Sequence, residues 1–161
     1  MNTRLVIAGG ALTALIVGVI AVGSAVARAD DDDARKIAIS TPLAPAAIGP
    51  YSQAIRVGKT VYLSGQIAID PTTNLFLTGA SIEDQTRGVL ENFAGVLTAA
   101  GLTVDDVVVT TVYLKDLNDF ATMNQVYATF FKSSPPARTT IEVAGIPRDA
   151  KVAISAVAVA P

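Results

Sequence analysis

The sequence contains no histidine and no cysteine. Without an imidazole or a thiol there is no Ser-His nucleophile, no thiolate chemistry and no zinc site of the usual kind. No disulfide staples the chain either, so its stability rests on its own apolar core. Net charge is scarce as well: twelve Lys and Arg stand against fourteen Asp and Glu. Setting aside Arg4 and Arg28 leaves ten basic residues, and setting aside Asp30 to Asp33 leaves ten acidic ones. The remainder is neutral, with no electrostatic reason to hold a phosphate backbone, so nucleic acid is not expected as a partner. Internal repeats, low-complexity tracts and phosphate-binding glycine loops are also missing.

What is present begins with an apolar leader. Residues 1–29 hold no acid, carry Arg4 near the start, run apolar from Leu5 to Val26 and close on Ala27-Arg28-Ala29. That is the layout of a secretory signal peptide ending in a small-x-small cleavage pattern. The run is long enough to span a bilayer, but it is rich in Gly and Ala and ends in no basic stop. Cleavage after Ala29 predicts a periplasmic or secreted product; an uncut leader would leave it membrane-anchored. The acidic run in residues 30–35 reads as a solvated tail. Residues 36–161 have the length of one domain with one core.

Within that domain, "KIAIS" (Lys36–Ser40) alternates and is short, as an edge strand would be. "TPLAPAAIGP" is punctuated by proline and reads as a loop. Ser52–Val57 and Thr60–Ser64 flank Gly58-Lys59, a tight hairpin turn. Ser81 with Asp84 three residues on predicts a helix start. Ile82, Val89, Phe93, Val96 and Ala100 recur at helical spacing, and Gly101 supplies the stop. Val107–Leu114 is continuously apolar or β-branched, which predicts a strand covered on both faces. A second helix is expected from about Asn118 to Phe131, burying Phe120, Met123, Tyr127 and Phe130. Strands over Arg138–Val143 and Lys151–Val159 finish the chain. The order β-β-β-α-β-α-β-β predicts an α+β domain, a mixed sheet with two helices on one face. The other face would be bare and apolar, which predicts an oligomer.

The candidate site begins at "PPARTTIEVAG" (Pro135–Gly145), whose alternation marks a half-buried strand. Pro135 and Pro136 stiffen the approach to Arg138. Arg138 shares a strand face with Thr140 and Glu142. A planar, permanently charged fork suits a small carboxylate held through two parallel hydrogen bonds. The plain alternative is a surface arginine paired with Glu142.

The stretches "APAAIGPYSQAI", "YLSGQIAID", "AAGLTVDDVVVTTVYLKDLNDFATMNQVYATFF", "PPART" and "IEVAGIPRDAKVAISAVAV" resemble the RidA (YjgF) family in the same order. The resemblance runs from about Lys36 to Val159 and implies a chorismate-mutase-like fold assembled as a homotrimer, with a site in each intersubunit cleft. It also implies hydrolysis of 2-imino or enamino acids to 2-keto acids and ammonia, without a cofactor. Residue by residue, Arg138 matches the carboxylate clamp and Tyr51 of "GPY" the cleft tyrosine. Ser64 and Gly65 of "SGQ" match the ligand-contacting loop, and Asn124 of "ATMNQVY" the helix asparagine. Thr140 stands where many members have cysteine. One position departs. The glutamate that activates water on the last strand of imine-hydrolysing members is Ala153 here, which keeps a non-catalytic carboxylate-binding module as the alternative. Ribonuclease activity, also attached to the family by name, is disfavoured by the neutral surface and the missing histidine.

Overall fold

Gly58 adopts a φ of 55°, and this left-handed turn, open to glycine at no steric cost, closes the first hairpin between Val57 and Thr60. The computed structural model describes residues 35–161, so the leader and nearly all of the acidic tail lie outside the described residues. The chain runs β1 (Lys36–Ile39), β2 (Ala54–Val57), β3 (Thr60–Gln66), α1 (Ile82–Ala99), β4 (Val107–Leu114), α2 (Phe120–Phe130), β5 (Ala137–Glu142) and β6 (Val152–Val159). This is the element order read from the sequence. The strands form one sheet in the order β1-β2-β3-β6-β4-β5. Its neighbours are antiparallel except β4 and β5, which run parallel with α2 crossing between them. Among the described residues no helix is long and apolar enough to cross a membrane.

Ser81 caps α1 as expected, its hydroxyl accepting from the Asp84 backbone N–H at 3.2 Å. Ile82, Val89, Phe93 and Val96 are buried, and Gly101 ends the helix region with a φ of 71°. They meet Val61 and Leu63 of β3, Val112 and Leu114 of β4, and Val152, Ile154 and Ala156 of β6 in a single core layer. Each large side chain so buried contributes about 1.5–3 kcal/mol. Both helices use the same sheet face, because only that parity of β3, β4 and β6 is fully covered.

Two expectations need correcting. Strand β4 is covered on one face only: Val108 and Val109 are exposed, and Thr111 and Tyr113 half-buried. Its continuous apolar run therefore reflects a bare apolar face rather than a second helical layer. Tyr62, at 51% exposed, lines a hollow of about 230 Å³ on that face with Val109, Ser155 and Val157. On α2 the buried stripe is Met123, Val126 and Tyr127, whereas Phe130 is only partly buried and Phe120 is 40% exposed. The reason is the helix start. Leu117–Asp119 form a 3-10 turn, so Phe120 opens the helix at the sheet edge, where it meets Arg138 instead of the core.

Candidate functional site

Arg138 pairs with Thr110 of β4, and Thr110 with Ala156 of β6. That register turns Arg138 toward the helices. Its Cζ lies over the Tyr127 ring, 4.6 Å from the centroid, and 5.7 Å from that of Phe120. Tyr127 is 5% exposed, and its hydroxyl shares a 2.7 Å hydrogen bond with Thr110 Oγ1. Behind it the Phe131 ring packs at 4.5 Å, tilted by 34°. Burial pushes the Tyr127 phenol above its ordinary pKa of 10.0, while the Thr110 hydrogen bond and the Arg138 charge pull it down.

The plain alternative, an Arg138–Glu142 pair, is not formed. Glu142 Oε2 instead accepts from the Leu117 backbone N–H at 2.9 Å, and the ion pair among the described residues joins Lys115 to Asp149. Among those residues the Arg138 side chain makes no hydrogen bond, so its five donors are uncommitted. Thr140, two residues on with the same parity, has a buried hydroxyl that makes no hydrogen bond among them. Asn124 is half-buried and lies four residues after Phe120 and three before Tyr127, which puts all three on one helix face. Arg138, Thr140 and Asn124 thus belong to one edge of the molecule.

Tyr51, Ser64 and Gly65 belong to another. Tyr51 is 46% exposed, and its hydroxyl accepts from the Ile48 backbone N–H at 3.2 Å. A Cβ on Gly49 would sit 3.3 Å from the Tyr51 ring, so glycine lets the ring fold back over the loop. Ser64 Oγ donates to the Ser52 carbonyl at 2.6 Å, and Gly65 sits in the irregularity between Leu63 and Gln66. Tyr51 and Gly65 line a hollow of about 20 Å³ with Gln53 and Ile67, room for roughly one water. Gln53 is the buried latch of this half: its Nε2 donates to the Thr41, Ala44 and Pro45 carbonyls, and its Oε1 accepts from the Thr41 N–H.

The two halves do not meet within one chain. From β5 to β3 the path crosses β4 and β6, roughly 14 Å at the usual strand spacing. Ala153 pairs with Tyr113 and so faces the bare side of the sheet, opposite Arg138. It packs beside Ile67, Ile146 and Ala150. A broader concavity of about 800 Å³, lined by Lys115, Asp116, Glu142, Arg148, Asp149 and Lys151 among others, holds none of the six expected site residues. Its charges of both signs largely offset one another. Among the described residues no acidic cluster is arranged to hold a metal ion.

Sequence reasoning missed Tyr127, counted as plain core, and Gln53. The available signals were a phenol inside an apolar stripe and an amide at the mouth of a strand, both polar groups that burial obliges to find partners.

Residues 41–160 match the family model described as Endoribonuclease L-PSP. A RutC family protein of Pyrococcus horikoshii is 52% identical over 123 residues, covering 76% of this chain and 97% of that protein. The mouse 2-iminobutanoate/2-iminopropanoate deaminase is 48% identical over 125 residues, 78% of this chain and 91% of the relative. Among solved structures, Escherichia coli TdcF with bound serine superposes with a TM-score of 0.74 at 44% identity, covering 78% of this chain and 99% of that one. The E. coli YjgF gene product gives 0.73 at 46%, over 76% and 98%. By sequence and by fold, the chain belongs to the Endoribonuclease L-PSP family, which includes the RidA proteins.

Proposed function

We propose that the protein is a RidA-type imine deaminase that takes small 2-imino carboxylic acids, and that Arg138 holds the substrate carboxylate. The observation that carries this reading is the uncommitted guanidinium at the β5 edge, beside the Thr140 hydroxyl and Asn124. The naming of close relatives as 2-iminobutanoate/2-iminopropanoate deaminases supports the reaction class, and the serine bound to TdcF supports a small carboxylate ligand. Water adds to the C=N carbon and the carbinolamine expels ammonia, leaving the 2-keto acid. Tyr51 and the Ser64-Gly65 backbone orient the far end of the substrate. Their separation from Arg138 means that one small ligand touches both halves only if the second half comes from another copy. A homotrimer with intersubunit clefts meets that need. Export after cleavage at Ala29 remains part of the proposal, checked by the N-terminal residue of the secreted protein.

The test generates 2-iminobutanoate with an amino-acid oxidase and times its loss with and without the protein. Acceleration is expected, and Arg138→Ala should remove it; an Arg138→Ala protein as active as wild type would refute the clamp. Ala153→Glu is expected to raise the rate by about a hundredfold, since a positioned acid or base typically contributes that much or more. The apolar neighbours of position 153 would lift the new carboxyl's pKa toward the working pH.

Ala153 also favours the second reading, a module that binds small carboxylates without turning them over. Calorimetric binding of 2-ketobutyrate with no acceleration of imine loss would select it.

A further inference from the structure

Arginine side chains at half-buried sites are usually fixed by a carboxylate. Arg138 is fixed differently: its cation lies over the Tyr127 face, with the Phe120 ring as a second, more distant wall. The distinction has a chemical consequence. A carboxylate would occupy the N–H fork and cancel the charge, whereas an aromatic face attracts the cation without consuming a hydrogen-bond donor. Tyr127 is itself immobilised from below by the 2.7 Å Thr110 hydrogen bond and from behind by the Phe131 ring.

We infer that Tyr127 is a positioning residue for the clamp: its ring holds the Arg138 guanidinium in place while leaving the N–H edges free for an incoming carboxylate. This rests on the carboxylate-binding reading above and adds a residue to it. An unanchored arginine would have to give up rotamer freedom when ligand binds, and the ring removes part of that cost beforehand. Phe120 contributes less, being farther from the cation and open to water.

Calorimetric titration with 2-ketobutyrate tests the inference, alongside Nε–H relaxation measured by NMR on the Arg138 side chain. Tyr127→Leu is expected to weaken 2-ketobutyrate about five- to tenfold, the range for a partly desolvated cation–π contact, and to lower the Arg138 Nε–H order parameter. Tyr127→Phe keeps the ring and should restore affinity to within about twofold, with the order parameter retained. A merely structural role for Tyr127 would lower the melting temperature without moving the Arg138 order parameter. Should Tyr127→Leu fail to fold, Tyr127→Met supplies the ring-free measurement in its place. Loss of binding in Arg138→Ala with unchanged affinity in the ring-free variant overturns this inference alone. Absent binding in wild type, or unchanged binding in Arg138→Ala, overturns the clamp and the positioning role together.

Discussion

In the proposed reaction two side chains carry the chemistry at the smallest scale, and each is read through its neighbours. Arg138 is a clamp candidate because among the described residues no carboxylate pairs with it; Glu142 is occupied by the Leu117 N–H. Ala153 is the weak point of the proposed hydrolysis, because its methyl group offers no acid or base to the attacking water. Tyr127 adds a measurable signature. Burial raises its phenol above 10.0 in the folded chain, so the folded state keeps a proton that the unfolded chain has already released. Stability from this group is intact below about pH 10 and lost as pH rises through the folded value. Thermal melts from neutral to alkaline pH should therefore show a decline above about pH 10 that is shallower in Tyr127→Phe. Identical slopes would mean that the phenol is not held protonated. The sequence reading named Arg138, Thr140 and Asn124 as site residues but Tyr127 only as part of a buried stripe, because helical periodicity identifies a buried face without saying which cation lies over it.

Among the elements, α1 is the scaffold on which the site loops rest, and its glycines are not equivalent. A Cβ at Gly95 would run into the backbone carbonyl of Leu43, in the loop latched by Gln53, whereas one at Gly88 would meet Ala68 Cβ at an ordinary 3.4 Å. Alanine is otherwise the better helix former by about 1 kcal/mol. Gly88→Ala is accordingly expected to be neutral or stabilising. Gly95→Ala should destabilise by roughly 1–3 kcal/mol, because backbone rather than a flexible side chain has to move. Urea denaturation of the two variants checks the contrast, and equal stability would remove the close packing of loop on helix. The caps and turns of these elements were legible beforehand, since Ser81, Gly58 and Gly101 act within a few residues of themselves. The close approach at Gly95 was not, because it joins residues more than fifty positions apart.

At the scale of the whole molecule the unresolved demand is the bare sheet face. Tyr62, Val109 and Val157 line it, and an apolar surface of this kind calls for a partner. In the proposed homotrimer, a second and third copy cover it and bring a Tyr51–Gly65 edge to an Arg138 edge. Light scattering is expected to give three times the protomer mass. Val109→Asp, a charge in the middle of that face, should dissociate the assembly and abolish 2-ketobutyrate binding together. A trimer that survives Val109→Asp would move the interface elsewhere and leave the two half-sites without a reason to meet.

The sequence by itself determined the element order, the single helical layer and the apolar second face, because period-2 and period-3.6 patterns, caps and turns are local and act on neighbouring residues. It also determined which side chains share a strand, and so placed Thr140 and Glu142 with Arg138. Only the tertiary structure decided that Arg138 and Ala153 lie on opposite faces of the sheet and that the guanidinium lies over the Tyr127 ring rather than beside a carboxylate. Those facts depend on the register of β4 against β5 and β6. Packing of a shared core across long stretches of chain fixes that register, and no local pattern encodes it.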